Sequence, residues 1–450
     1  MIESTGNKHV VGAELAVSAM LSSLVRRNVC PNFVVTRRVF TCPYEPPKAF
    51  WGSEDFKRPR GGQYSPRQCH GRKPREPSVK HRSRYQYIRM ELCAEGDAEE
   101  YLKRQPDESI SPVVARNLIF QVAFAMHAAA DRFSLKHYDL KLLNIFLQKV
   151  SGIDAELTTL RYGLGSHIFA LEMPTASAII AKVADYGTAN VQAESNGQPA
   201  TIGQFTTLEN TPPEFMILGD AATQGHGHDA FGLGLCMLHL FTGHAPYEEI
   251  LADVTCPSGL KAILQGIWED ELSQGYSVIR SVILADVYKD EAGVVIEGEP
   301  DGTLYDTFYR YLVLFGIPER KYKVKAHGRV WKAIASALEG GGKGRTYGRN
   351  ACRKMGADFK QFEEDQKKYS LRHGTNSFIS RAREGLEQVS GGLELLFSLV
   401  DFDPEKRATV CDVLNSQFMI PLREDSATMR TTTDGNPSNH AISFMAYATL

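Results

Sequence analysis

The stretch His137-Tyr138-Asp139-Leu140-Lys141-Leu142-Leu143-Asn144 carries the densest chemistry in this chain. A carboxylate, an ammonium two residues later and a carboxamide three beyond that can orient a hydroxyl, neutralise a phosphate and bind a metal from one short loop. Further on, the apolar run Ala178 to Val183 leads into Asp185-Tyr186-Gly187, so a second carboxylate sits where a buried strand gives way to a turn. Either piece alone has an ordinary reading, a surface histidine near a turn aspartate, or a tight turn. Lys141 and Asn144 in register with Asp139, with Asp185 following a strand, make the combination specific.

These residues need a frame. Residues 10 to 27 place Val17, Leu21 and Leu24 on one face with Glu14 at its edge, which predicts an amphipathic helix. Phe33 to Phe40 and Tyr85 to Leu92 are β-branched and aromatic, and read as strands. Ser111 can cap a helix whose Val114, Leu118, Val122, Ala125 and Ala129 recur at core-facing steps. Thr159 to Leu171 predicts an extra hairpin, and Phe231 to Phe241, apolar on nearly every side, a central helix. Leu304 to Phe315, Val330 to Leu338, Glu394 to Val400 and Val410 to Leu414 are further helical patches. The cluster Gly340 to Gly344 follows a helical pattern and lacks a Ser or Thr after Lys343, so it reads as a linker and not as a phosphate cradle.

Composition bounds the rest. At 450 residues, with 43% hydrophobic, 23% charged and 10% aromatic side chains, the chain is ordinary globular material and no fibre. A formal net charge of -2 demands neither nucleic acid nor an anionic membrane as partner. The 8 cysteines are scattered without a C-x-x-C pair, the N-terminus lacks signal-peptide features, and no apolar run approaches the roughly 18 residues of a membrane span. The expectation is reduced thiols in an intracellular protein, cytoplasmic or nuclear. Lys57 to Arg84 is basic and proline-rich with Glu76 as its single acid; it reads as a solvated loop, with a nucleic-acid-binding or nuclear-import arm as the alternative.

The order of motifs resembles the eukaryotic protein kinases. His137 to Asn144 looks like their catalytic loop, with Tyr138 in place of the usual arginine, and Asp185-Tyr186-Gly187 like the D-F-G turn. Thr211-Pro212-Pro213-Glu214 resembles the A-P-E signature, and Asp229 to Gly234 the D-x-W-x-x-G start of a central helix. Asp403 to Arg407 resembles the D-P-x-x-R turn. The resemblance implies Asp139 as catalytic base, Lys141 on the transferred phosphate, Asn144 and Asp185 on Mg²⁺, and Thr207 bonded to the catalytic groups. It implies ATP as phosphate donor, with His137, Tyr186, Gly187 and Asp229 in structural roles and Glu214 paired with Arg407. Lys141 is the Ser/Thr-kinase pattern, so the implied acceptor is a protein serine or threonine. Met90 would be the gatekeeper, Glu91 and Cys93 the adenine-facing hinge, and Asp97 a ribose ligand. Glu14 best matches the glutamate of the N-lobe helix.

The expected fold class is therefore α+β, a bilobal kinase-like fold with a truncated β-rich N-lobe and a mainly helical, insertion-bearing C-lobe. Expected boundaries are a partial N-lobe at 1–93 with a basic loop at 54–84, and a C-lobe at 94–420 with insertions at about 149–177 and 250–388. A disordered tail is expected at 421–450. Neither a glycine-rich hairpin nor a strand lysine can be placed ahead of Glu14. The expected activity is ATP- and Mg²⁺-dependent phosphoryl transfer to a protein substrate; the alternative is a pseudokinase that binds partners without catalysis. With Tyr138 where the family clamps a phosphorylated loop, activity should not depend on phosphorylation of the 185–214 segment.

Overall fold

The computed structural model describes residues 8–42, 44, 85–150, 156–199, 208–218, 222–269, 303–317, 334, 349–424 and 446–448. Thr207, the basic loop, most of Val330 to Leu338 and the Gly340 to Gly344 cluster lie outside the described residues. The chain opens with helix α1 (Lys8–Arg26), followed by the antiparallel pair β1 (Thr36–Cys42) and β2 (Tyr85–Met90). Val17, Leu21 and Leu24 of α1 are buried, as their spacing predicts. The first strand starts later than the sequence suggests, because Phe33 instead makes an isolated parallel bridge with Val183.

Two helices come next, α2 (Ala98–Lys103) and α3 (Pro112–Phe133). Ser111 caps α3 by accepting from the Val114 amide at 3.3 Å, Pro112 supplies a preset first turn, and Ser134 ends the helix in a left-handed conformation. Of the described helices, α3 alone is long and apolar enough to cross a membrane, contrary to the expectation of no such stretch, and it is 72% buried inside the fold. Its Phe120 and Phe124 meet the ring of Tyr162 edge-on; Tyr162 belongs to a hairpin of β4 (Leu157–Leu164) and β5 (His167–Pro174). Ahead of that hairpin lies β3 (Ile145–Lys149), and after it β6 (Ile179–Val183); these two pair antiparallel on either side of the insertion. The hairpin's alternating burial, with Leu160, Tyr162 and Leu164 facing in, gives it a share of the core.

The rest is helical: α4 (Pro213–Leu218), α5 (Gly227–Thr242), α6 (Ser258–Glu269), α7 (Thr303–Phe315), α8 (Arg349–Tyr369), α9 (Ser377–Gln388), α10 (Gly392–Leu399) and α11 (Val410–Asn415). Helix α5 is buried along nearly its whole length and touches α3, α9 and α10. Gly232 lets it approach the catalytic loop, since a Cβ there would stand 2.9 Å from the Leu140 carbonyl oxygen. The end of the expected 250–388 insertion packs into the core: Ile379, Ala382 and Leu386 of α9 are each 0% exposed, and Gly385 lies against the Phe241 ring. Gln417–Leu422 form 3₁₀ turns, and within the expected 421–450 tail Ala446–Ala448 (β7) pairs parallel with β4. The strand partner lies almost three hundred residues upstream, which no local pattern reveals.

Candidate active site

The catalytic-loop residues converge. Asp139 is 8% exposed; its Oδ2 receives the Asn144 amide nitrogen at 3.0 Å and lies 3.1 Å from the Lys141 ammonium. The same Asn144 nitrogen donates to the Asp139 carbonyl at 2.7 Å, which leaves Oδ1 as the amide atom able to ligate a cation. A carboxylate held by an amide and an ammonium is oriented for one job, accepting a hydrogen bond or a proton from a hydroxyl.

Asp229 sets the shape of this loop. Its carboxylate accepts the amides of His137 and Tyr138, each at 2.8 Å, from a position 1% exposed. Tyr138 has φ of +63°, a conformation costly for a bulky residue unless its surroundings hold it. Burial pushes the Asp229 carboxyl upward against the pull of His137 and the two amides. His137 accepts from the Asp139 amide through Nδ1 at 3.4 Å and faces the Ala184 carbonyl through Nε2 at 3.0 Å, which assigns the ring proton to Nε2.

That second contact ties the loop to Asp185-Tyr186-Gly187. Tyr186 is buried, stacks edge-on to His137 at 5.9 Å and donates its hydroxyl to the Val183 carbonyl at 2.6 Å. Asp185 is exposed with φ of +60°, and its Oδ1 accepts from the Gly187 amide at 3.3 Å. Glu14 of α1 lies close enough that burial, then the Asp185 charge, raises its carboxyl pKa. Among the described residues neither carboxylate is paired with a lysine or arginine. An exposed carboxylate and a nearby carboxamide oxygen suit Mg²⁺, which keeps several waters and takes few protein ligands.

The hinge residues are placed unevenly. Glu91 does not point into a nucleotide space: its Oε1 accepts from the Val35 amide at 3.0 Å and lies 2.8 Å from the Lys182 ammonium, both side chains nearly buried. Its own amide donates to the Val35 carbonyl at 2.9 Å. Cys93 is buried, and burial followed by the Glu91 charge pushes its thiol up to about 11. Asp97 caps α2, accepting from the Glu100 amide at 2.8 Å. Met90, read as a gatekeeper, is 53% exposed instead of lying inside a closed pocket.

Sequence reasoning missed Lys136 and Lys182. Lys136 is 0% exposed, and its ammonium donates to the Gln192 carbonyl (2.8 Å), the Ser195 hydroxyl (2.9 Å) and the Asn196 side-chain oxygen (2.8 Å). Its backbone pairs with Asn190, so one residue fastens the segment after Gly187 to the catalytic loop. Lys182 joins the Pro31 carbonyl (3.1 Å) as well as Glu91. The available signal was a lysine inside an otherwise apolar run, in Leu135-Lys136 and in AIIAKV. Gln121 was hidden too: from the core face of α3 it accepts from Ala181 (2.9 Å) and Asn32 (3.1 Å). Farther along, Glu214 and Arg407 form a bidentate pair, 2.6 Å on both arms, with Arg407 fully buried.

Two buried histidines give the fold an acid sensitivity. Burial holds His239 down to about 4, and burial, then the Arg407 charge, holds His228 down to about 3. Both are neutral when folded, whereas the unfolded chain takes up protons as pH falls through about 6.5. Stability contributed by these groups is therefore complete above about 6.5 and is lost as pH drops toward 4, on the order of 3 kcal/mol for each. Urea unfolding at successive pH values should show this slope, and His239→Gln should flatten it; an unchanged slope would count against the assignment.

A protein kinase domain model matches residues 77–419, well over half of the chain. The chain belongs to the protein kinase family, with an α+β fold, as the motif order implied. The match leaves α1 and β1 outside its span. A comparison with curated proteins finds no match.

Proposed function

We propose that this protein transfers the γ-phosphoryl group of ATP to a serine or threonine hydroxyl of a protein. The observation that carries the reading is the convergence on Asp139 Oδ2 of the Lys141 ammonium at 3.1 Å and the Asn144 amide at 3.0 Å. In it Asp139 orients the incoming hydroxyl and accepts its proton, and Lys141 spreads the charge of the phosphoryl group in transit. Asn144 and Asp185 would hold Mg²⁺, which when bound neutralises the phosphates and aligns them. The main chain at Glu91 and Cys93 would take adenine and Asp97 the ribose. The Ser/Thr preference rests on Lys141 and on the family resemblance at Thr207. Incubation with radiolabelled ATP, Mg²⁺ and a mixed protein substrate, followed by phosphoamino-acid analysis, should place label on serine or threonine; label on tyrosine alone would sink the preference.

One observation favours a second reading, a pseudokinase scaffold. Burial and then the Asp185 charge raise the Glu14 carboxyl, and among the described residues neither carboxylate is ion-paired with a lysine or arginine, an arrangement that does not favour an incoming triphosphate. Partner binding that survives loss of Asp139 and Asp185, with no label transferred, would support the scaffold.

The segment after Asp185 supports phosphorylation-independent activity. Tyr138 is buried against His228 at 5.3 Å, and Lys136 grips three neutral oxygens in 192–196 where the resemblance would place an arginine and a phosphate. Ser195, one of the hydroxyls available for modification, is already buried in that grip. Lys136→Ala should raise hydrogen exchange at residues 192–196 by 10-fold or more, for the loss of charge-assisted hydrogen bonds worth roughly 1.5 to 3 kcal/mol each. Lys136→Arg should keep most of the protection. Exchange unchanged in Lys136→Ala would overturn the clamp.

A further inference from the structure

Strands β1 and β2 form a two-stranded antiparallel ribbon whose register sets Arg38 directly opposite Arg89 and Phe40 directly opposite Tyr87. Residues two apart on a strand share a face, so these four side chains belong to one side of the ribbon. The Phe40 and Tyr87 rings lie flat against each other, 5.3 Å between centroids and 8° between planes, and the Arg38 guanidinium stands over Phe40 at 5.8 Å. Water reaches this face: Phe40 is 41% exposed, and Arg38 and Arg89 are exposed. Tyr87 donates its hydroxyl to the Tyr44 carbonyl at 2.8 Å, which holds Tyr44, 73% exposed, beside it.

Like charges directly opposite on neighbouring strands are destabilising, and among the described residues neither Arg38 nor Arg89 is ion-paired with a carboxylate. An anion between them would relieve the repulsion. Arg37 adds a third charge at the irregularity in the β1 register, and neither strand contains Asp or Glu. Arginines placed only to keep a sheet edge from pairing would need neither the opposed pair nor the aromatic stack. The sequence joining the strands carries the same sign, since Lys57 to Arg84 holds ten Lys or Arg against Glu76 alone. That segment lies outside the described residues and forms no part of the site; joined to β2 at Tyr85, it adds to the positive field around the ribbon. The partner must therefore supply both anions and flat rings. Phosphates with unstacked bases meet both demands, whereas a duplex hides its base faces and a lipid headgroup offers no ring.

We propose that this face of the ribbon binds single-stranded nucleic acid, with bases stacking on Phe40, Tyr87 and Tyr44 and phosphates on Arg38 and Arg89. Every base has a π-face, so the binding tolerates changes of sequence. None of these residues belongs to the catalytic loop, and the binding is independent of phosphoryl transfer.

The test uses the whole chain and fluorescein-labelled RNA and single-stranded DNA of mixed sequence, about 12 nucleotides long, beside the duplex of the same DNA. Fluorescence anisotropy should find the single strands bound tighter than the duplex, with affinity falling as salt rises. Phe40→Leu with Tyr87→Leu keeps apolar bulk and removes the flat rings, and should weaken binding roughly 5- to 150-fold, the range for one stacked base. Arg38→Gln with Arg89→Gln should lower the slope of log affinity against log salt by about 1.4, for two phosphates. Thermal melts check that the variants fold. Tighter RNA supports the proposal with a contact to the 2′-hydroxyl added, and equal affinity supports it with stacking and phosphate alone. A duplex bound as tightly as the single strands, or affinity unchanged in the leucine variant, would overturn it. So would an unchanged salt slope in the glutamine variant, because the charge would then come from Lys57 to Arg84 alone. Displacement of the probe by excess ATP would place it in the nucleotide cleft and count equally against the ribbon. Flotation with phosphatidylserine vesicles is the last arm: capture by vesicles without binding of either single strand would give the face to a membrane and overturn the proposal.

Discussion

Asparagine in place of Asp139 is expected to lower phosphoryl transfer by about 100- to 10,000-fold, the usual contribution of a positioned general base, while leaving the fold intact. The substitution keeps volume and one acceptor oxygen, so Asn144 and Lys141 retain a partner where they now meet the carboxylate at 3.0 and 3.1 Å. What is lost is the group able to take the hydroxyl proton. A structural role for Asp139 would predict the opposite pattern, a lowered melting temperature with activity falling only in proportion to unfolded protein. Single-turnover transfer measured beside a thermal melt separates the two, and transfer unchanged in Asp139→Asn would remove Asp139 from the mechanism.

Arg407→Met should destabilise the fold by about 3 to 5 kcal/mol, the cost of leaving one partner of a buried ion pair alone. Arg407 is bidentate to Glu214 at 2.6 Å, and also donates to the Asp401 carbonyl (2.9 and 2.7 Å) and the Gly227 carbonyl (3.1 Å). Its guanidinium lies over the Phe231 ring at 5.3 Å, so the pair fastens the Thr211 to Glu214 turn and the 401–407 turn to the start of α5. Methionine fills the volume but strands Glu214, 6% exposed, without its cation. Arg407→Lys should also destabilise, because an ammonium cannot reproduce the two-armed geometry. Glu214→Leu together with Arg407→Met should recover part of the loss, since a matched apolar pair has no orphaned charge. Urea midpoints at constant slope measure all three, and a double variant no better than Arg407→Met would show that the carbonyl contacts, not the ion pair, dominate.

Much of the frame was readable along the chain because its causes are local. The period of Val17, Leu21 and Leu24 put α1 within two residues of its observed ends, and Ser111 marked the start of α3. The Thr159 to Leu171 alternation located the hairpin, and the continuous apolar run after Asp229 located α5. Elements whose identity depends on distant contacts were not legible in this way. Helix α9 looks polar enough for an insertion, yet its few apolar residues are buried against α5. Strand β7 exists through its pairing with β4, a partner its own sequence does not name.

The site divides in the same way. Residue type and spacing alone determined that Asp139, Lys141 and Asn144 can share one task, because five residues of chain leave them little freedom to separate. They also determined the order of the turns that carry Asp185, Glu214, Asp229 and Arg407. Only the tertiary structure decided how those turns are held: Asp229 on the amides of His137 and Tyr138, Lys136 on the 192–196 segment, and Lys182 on Glu91. It also brought Glu99, Glu209, His239 and Glu248 to the rim of one cavity beside Lys141. Charges and hydrogen bonds act over a few ångströms whatever their separation along the chain, so local pattern reveals the groups that do chemistry, and folding alone decides what surrounds them.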